Sequence, residues 1–146
     1  MQLERVNMWD RHQWAGVYVA TTTNSMIKAN GRAAMGKGNA LEASQRFPKL
    51  ATGLAELLKL RGNHVFYFPD YKLFTFPTKH NNPWANSDLA LIEQSAQELR
   101  MFLDAYSQVK TVYLPQPGCG NGRLDWKDVE PVLDRHLDDR VIVVYQ

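Results

Sequence analysis

The chain has 146 residues, 45% hydrophobic and 22% charged, which is enough for one well-buried core and excludes a disordered segment. Its formal charge of +2 is too small, and its cations too dispersed, to argue for a nucleic-acid surface. A single cysteine excludes an internal disulfide framework. With no signal-like apolar core in MQLERVNMWDRHQW and no run near the ~20 apolar residues of a membrane span, a soluble cytoplasmic protein is expected, with no membrane partner.

In chain order, the first strand is expected over residues 14–23 (WAGVYVATTT), rich in β-branched and aromatic residues. Residues 39–60 set Leu41, Leu50, Leu54, Leu57 and Leu58 at roughly helical spacing; Pro48 splits this run in two and Gly62 stops it. The runs 64–68 (HVFYF) and 71–76 (YKLFTF) flank Pro69-Asp70 as a hairpin. Residues 87–106 form the clearest helix, with Ser87 as cap, Asp88 suited to its positive end, and Leu89, Ile92, Ala96, Leu99, Phe102 and Leu103 in one stripe. Strands at 109–114 (VKTVYL) and 140–145 (RVIVVY) enclose a last helix, from Asp125 or Trp126 to Leu137, with Pro131 near its first turn. The run at 140–145 does not alternate, as expected of a strand buried on both faces. Strands alternating with helices point to a three-layer α/β domain around a mixed sheet, a single domain over residues 1–146. Ligands of such folds bind in the crevice beyond the carboxyl ends of the strands.

Two glycine-rich stretches carry the candidate chemistry. GRAAMGKG (31–38) nearly matches the phosphate-binding loop G-x-x-x-x-G-K-[ST], but Gly38 stands where a hydroxyl would hold Mg²⁺, and the stretch trails its strand by several residues. Glycine N–H groups there can still cradle a phosphate, or the stretch is simply a surface turn. PGCGNG (117–122), leading into a helix start, is the stronger anion site. Cys119 has no evident histidine partner and reads as a small apolar plug rather than a nucleophile. Asp125 and Asp128 suit the positive end of a helix. His12, His64, His80 and His136 show no metal spacing, and there is no G-x-S-x-G elbow, so neither metal nor cofactor is expected. Lys79 follows a strand on a loop rich in Asn and Pro, where a lone lysine is usually only solvated. Trp84 on the same loop packs on the sheet edge or beside a ligand.

Four stretches in this order, TTTN (21–24), MGKGNALEASQRFP (35–48), FPTK (76–79) and LPQPGCGNGRLDW (114–126), resemble those of a macro domain, the ADP-ribose-binding α/β fold. The resemblance covers nearly the whole chain. It is strongest to the branch holding the terminal ADP-ribose protein glycohydrolase and the antitoxins that strip ADP-ribose from DNA. It implies that Asn7 and Met8 meet the adenine, Asn7 standing where the family usually has Asp. Asn24 falls near the distal ribose. Met35, Gly36, Lys37 and Gly38 form one wall of the diphosphate channel, and Gly118, Cys119, Gly120, Asn121 and Gly122 the other. Lys79 matches the lysine that attacks the anomeric carbon. Gly122 replaces the catalytic aspartate of the protein-directed enzyme, whereas the DNA-directed antitoxins also read GCGNG, so Asp125 is not taken as a substitute. The resemblance implies a hydrolase of DNA-linked or other small ADP-ribosyl substrates, acting as a monomer on ADP-ribosylated DNA or protein. A non-catalytic ADP-ribose reader and a processor of ADP-ribose 1″-phosphate are the alternatives, and Mg²⁺-dependent ATP binding is expected to fail.

Overall fold

The computed structural model describes residues 1–145. The strands are β1 (Gln2–Glu4), β2 (Val17–Thr23), β3 (Tyr67–Phe68), β4 (Leu73–Pro77), β5 (Thr111–Pro115) and β6 (Val141–Val144). The helices are α1 (Gly38–Arg46), α2 (Leu50–Arg61), α3 (Leu89–Ala105) and α4 (Trp126–Asp134), with single 3-10 turns at Met8–Asp10 and Pro69–Tyr71. The sheet order is β1-β6-β5-β2-β4-β3; the short edge strand β3 runs antiparallel to β4 and all other pairs are parallel.

The two-residue period of the strands divides the core into two layers. On one face Tyr18, Ala20, Phe74, Phe76, Val112 and Leu114 pack against Ile92, Ala96 and Leu99 of α3 and Val129 and Leu133 of α4. On the other, Val17, Val19, Leu73 and Tyr113 pack against Leu50, Leu54 and Leu58 of α2 and Ala43 of α1. Each fully buried Leu or Phe contributes about 1.5–3 kcal/mol relative to exposure, so these layers supply most of the favourable folding energy. The result is the expected three-layer α/β arrangement with a mixed sheet. Among the described residues no helix is long and apolar enough to cross a membrane.

Several boundaries differ from the sequence reading. Residues 14–16 form a turn rather than strand, with Gly16 at φ +74°. The strand expected at 64–68 is reduced to Tyr67 and Phe68, with the Phe66 carbonyl still accepting from the Thr75 N–H at 3.0 Å, while the carboxylate of Glu98 on α3 takes the His64 ring and the Val65 N–H. Asp88, not Ser87, caps α3: its Oδ1 accepts from the N–H groups of Ala90 at 2.9 Å and Leu91 at 3.4 Å. Ser87 is one residue too early, buried, and tied by its own N–H to the Gly122 carbonyl at 2.9 Å. Pro131 is the sixth residue of α4, inside the helix rather than near its first turn. It is carried by the burial of Val129, Val132 and Leu133 around it. Strand β1, three residues long, has no counterpart in the sequence reading.

Topology places the site. The chain leaves β2 through α1 and α2 towards β4, then crosses back over β2 to reach β5. Strand order therefore reverses at β2, and a crevice opens beside its carboxyl end, between the ends of β4 and β5.

Candidate functional site

A cleft of about 1060 Å³ occupies that switch point. Its size is at the upper end for small-molecule and cofactor sites. Among the described residues its lining carries Lys28, Arg32, Lys37 and Lys79 against the single carboxylate of Glu42. The cleft thus holds more net positive charge than the +2 of the whole chain, which selects for an anionic ligand.

One wall is the segment between β2 and α1. Asn24 braces it, its Nδ2 donating to the Ala34 carbonyl at 3.1 Å and its Oδ1 accepting from the Met26 N–H at 2.9 Å. Ile27 and Ala33 form a bridge around a turn holding Gly31 at φ +83°. Gly31 is therefore a turn glycine away from the cleft lining, and GRAAMGKG is not one phosphate loop between strand and helix. Met35 is buried beneath the wall, while Gly36 and Lys37 are exposed. Gly38, at φ +56°, begins α1, whose preceding Lys37 makes no side-chain cap, so the positive end of the helix opens on the cleft side. Asn39 locks that helix end to β2. Its Oδ1 accepts from the Thr21 hydroxyl and the Thr22 N–H, each at 2.8 Å, and its Nδ2 donates to Thr22 Oγ1 at 2.9 Å.

The facing wall follows β5. Gly118 lies at φ +78°, and a Cβ there would stand 2.8 Å from Ile92 Cδ1. Gly122 is buried, and its Cβ would overlap Ser87 Oγ and stand 2.6 Å from the Gly118 carbonyl oxygen. Both glycines are required by close backbone packing against the start of α3. Gly120 is the one whose Cβ direction is open, with nothing within 4 Å. The two walls approach at Gly38, where a Cβ would lie 3.6 Å from Asn121 Nδ2. Cys119, expected among the lining residues, packs instead, half-buried, against the core layer of α3 and α4, and does not line the cleft. Burial, with Asp125 nearby, pushes its thiol pKa up, which suits the apolar plug and not a nucleophile.

Lys79 comes to this mouth because the end of β4 is pinned twice. The buried Ser95 hydroxyl of α3 donates to the Pro77 carbonyl at 2.7 Å, and the Thr78 N–H donates to the Thr23 carbonyl at 3.0 Å. The Lys79 amine donates to the Pro83 carbonyl at 2.8 Å and to the Asn121 carbonyl at 3.4 Å. Partial burial lowers its pKa, and the cations Lys37 and Arg123 push it further the same way. Trp84, next to Pro83, stands on the rim with 67% of its surface exposed, beside the cleft and not on the sheet edge. At another part of the lining, Asn7 spends its Oδ1 on the Trp9 N–H at 3.0 Å, capping the 3-10 turn that holds Met8 and Trp9 in the core.

Asn7, Met8, Asn24, Met35, Gly36, Lys37, Gly38, Lys79, Gly118, Gly120, Asn121 and Gly122 all line this one cleft. The sequence reading missed Asn39 and Ser95, and named Ser87 only as a helix cap, not as a residue of the cleft. A polar residue just inside a helix start was the available signal for Asn39; nothing local marks Ser95, whose partner Pro77 is far along the chain.

No family model matches the chain. Solved structures do: the macrodomain of Thermus aquaticus DarG superposes over 99% of this chain and 97% of that one, with a TM-score of 0.78 at 24% identity. Thermosipho africanus DarTG in complex with ADP-ribose covers 99% of this chain and 41% of its own, with a TM-score of 0.76 at 20% identity. This chain has the macrodomain fold. In sequence it is similar to the DNA ADP-ribosyl glycohydrolase of Mycobacterium tuberculosis, 34% identical over 125 residues that cover 76% of this chain. It spans about a third of that relative's length, 34%.

Proposed function

We propose that this chain binds ADP-ribose in the cleft and hydrolyses the bond joining ADP-ribose to DNA, with Lys79 as the nucleophile. The observation that carries the reading is the Lys79 amine at the end of β4, facing the 118–122 loop in a net positive cleft. A relative named for DNA ADP-ribosyl hydrolysis and a structural neighbour holding ADP-ribose support it. In this reading Asn7 and Met8 meet the adenine. The open backbone at Gly36, Lys37, Gly38, Gly120 and Asn121 surrounds the diphosphate, and the uncapped start of α1 adds its positive end. Asn24 acts by bracing the wall, since both ends of its amide are committed.

The nucleophile is the neutral amine, so the lowered pKa of Lys79 increases its reactive fraction near neutral pH. The amine attacks the anomeric carbon of the distal ribose. A C–N bond forms as the bond to the DNA carrier breaks, and the carrier leaves with a proton. Water then cleaves the sugar–lysine adduct and restores the amine. Holding the ribose at attack distance is the task of the two walls.

One observation favours a second reading, an ADP-ribose reader without turnover. The Lys79 amine donates to two carbonyls, which suits a structural ammonium, and Gly122 supplies no acid. Lys79→Ala separates the two. In the hydrolase it abolishes release of ADP-ribose from modified DNA and leaves the ADP-ribose Kd within a few-fold. If the wild type releases nothing from modified DNA while binding ADP-ribose, the reader reading stands instead.

A further inference from the structure

Among the described residues Trp84 is the one exposed aromatic ring at the Lys79 end of the cleft without an internal partner. Trp9 lies under the Arg46 guanidinium at 4.5 Å, Trp14 under that of Arg11 at 4.7 Å, and Trp126 packs on the core. Among the described residues no ring or cation covers Trp84. A built turn nevertheless holds it outward: its N–H donates to Asn82 Oδ1 at 3.0 Å, and the Ala85 N–H donates to the Asn82 carbonyl at 3.2 Å. The preceding Pro83 carbonyl is fastened by the Lys79 amine. Leaving a flat apolar surface of this size in water is unfavourable unless a ligand covers it.

The surroundings select the ligand. Lys79, Lys37 and Arg123 are close enough together for both neighbours to lower the Lys79 pKa. Arg123 reaches the Trp84 loop, its Nη1 donating to Asn86 Oδ1 at 3.3 Å, and its backbone lies at a left-handed φ of +62°. The only carboxylate between residues 80 and 88 is Asp88, already paired with His80 at 2.8 Å, and the 118–124 loop has none. An aromatic face flanked by cations and side-chain amides matches a base with its phosphates, the arrangement of single-strand binding surfaces.

We propose that Trp84 is the platform on which a base of single-stranded nucleic acid stacks beside the ADP-ribosylated nucleotide, with Arg123 and Lys37 meeting the flanking phosphates. The inference rests on the reading of the cleft as an ADP-ribosyl hydrolase site. It names the carrier as a flexible strand, because a base held in duplex stacking has no free face to offer.

Two measurements test it separately from that reading. The first needs no ADP-ribose: fluorescence anisotropy of a short labelled, unmodified single-stranded DNA, with single-stranded RNA and duplex DNA as further probes. Salt-sensitive binding to the single strands, weakened about ten-fold by Trp84→Ala and largely restored by Trp84→Phe, is expected from aromatic–base stacking. RNA matching DNA would leave the sugar unselected and still support the platform. Binding equal in wild type and Trp84→Ala, or favouring duplex, would overturn it. The second follows hydrolysis of an ADP-ribosylated oligonucleotide. Trp84→Ala is expected to raise KM about ten-fold with kcat little changed. An equal KM rise with an ADP-ribosylated peptide or an isolated ADP-ribosyl nucleoside would overturn the platform and, for the peptide, point to a protein carrier. Failure of the wild type to bind free ADP-ribose would defeat the parent reading, whereas an inert Trp84 in an ADP-ribose-binding protein defeats only this inference.

Discussion

Gly122→Ala should cost this protein far more than its single added methyl suggests. The new Cβ would overlap Ser87 Oγ and stand 2.6 Å from the Gly118 carbonyl oxygen and 2.8 Å from Gly118 Cα. Two of these three neighbours are backbone atoms, which no rotamer change relieves. Overpacking of this kind costs about 1–3 kcal/mol. Relief by opening the loop breaks the Ser87–Gly122 or Leu124–Gly118 backbone bond, at about 1 kcal/mol more. A loss of about 2–4 kcal/mol in urea unfolding is therefore expected, with a fall in Tm of roughly 5–15 °C at this chain length. Gly120→Ala, with open space at its Cβ, is the control and should stay within about 0.5 kcal/mol. Ser87→Ala removes a buried hydroxyl that has no hydrogen-bond partner, so alone it should be neutral or stabilising. Combined with Gly122→Ala it should recover only part of the loss, since the Gly118 contacts remain. The same geometry means that Gly122→Asp cannot restore an acid at this position without reshaping the loop. Gly122→Ala unfolding within about 0.5 kcal/mol of wild type would refute the packing argument.

Asn39→Ala deletes the bonds that join α1 to β2 and leaves the buried Thr21 hydroxyl without its acceptor. Urea unfolding should show a loss of about 2–3 kcal/mol, with weakened ligand binding because the start of α1 is released. Asp138 is held down to about 2, from 3.8, chiefly by its hydrogen bonds to Arg140. Its folded pKa lies below its unfolded one, so its stabilisation is complete above about pH 4 and disappears as pH falls through about 2. Asp138→Asn should cost about 0.5–1 kcal/mol at neutral pH, the pair being partly exposed, and nearly nothing at pH 2. The hydrolytic rate should rise with pH and level off below the ordinary lysine value of 10.5, as Lys79 deprotonates at its lowered pKa. A rate that falls over the same range would contradict an amine nucleophile.

The elements legible in the sequence were those whose own residues carry the pattern. Leu50, Leu54 and Leu58 and the stripe from Leu89 to Leu103 face a core, whereas Leu41 of the first run is exposed, and Pro48 and Gly62 punctuate that run locally. Strand β1 was illegible because three mostly exposed residues have no period of their own and are ordered only by pairing with β6. The choice between Ser87 and Asp88 as cap depended on Gly122, thirty-odd residues away, taking the Ser87 N–H. The site was legible as motifs, and the fold gathers all but one of the named residues into one cleft. What the motifs could not separate was role. The glycines of GCGNG look alike in sequence, yet two serve close packing and only Gly120 is open. Cys119 sits in the same motif but packs against the core, which only the assembled fold reveals. The cations of the cleft looked dispersed because Lys28, Arg32, Lys37 and Lys79 meet only once β2, α1 and β4 are assembled.

Calorimetric titration with ADP-ribose, with ATP and NAD⁺ as controls, tests the central claim most directly. Saturable one-to-one binding in the micromolar range, selective for ADP-ribose and retained by Lys79→Ala, is expected. No binding of ADP-ribose, or binding no stronger than that of ATP, would contradict it.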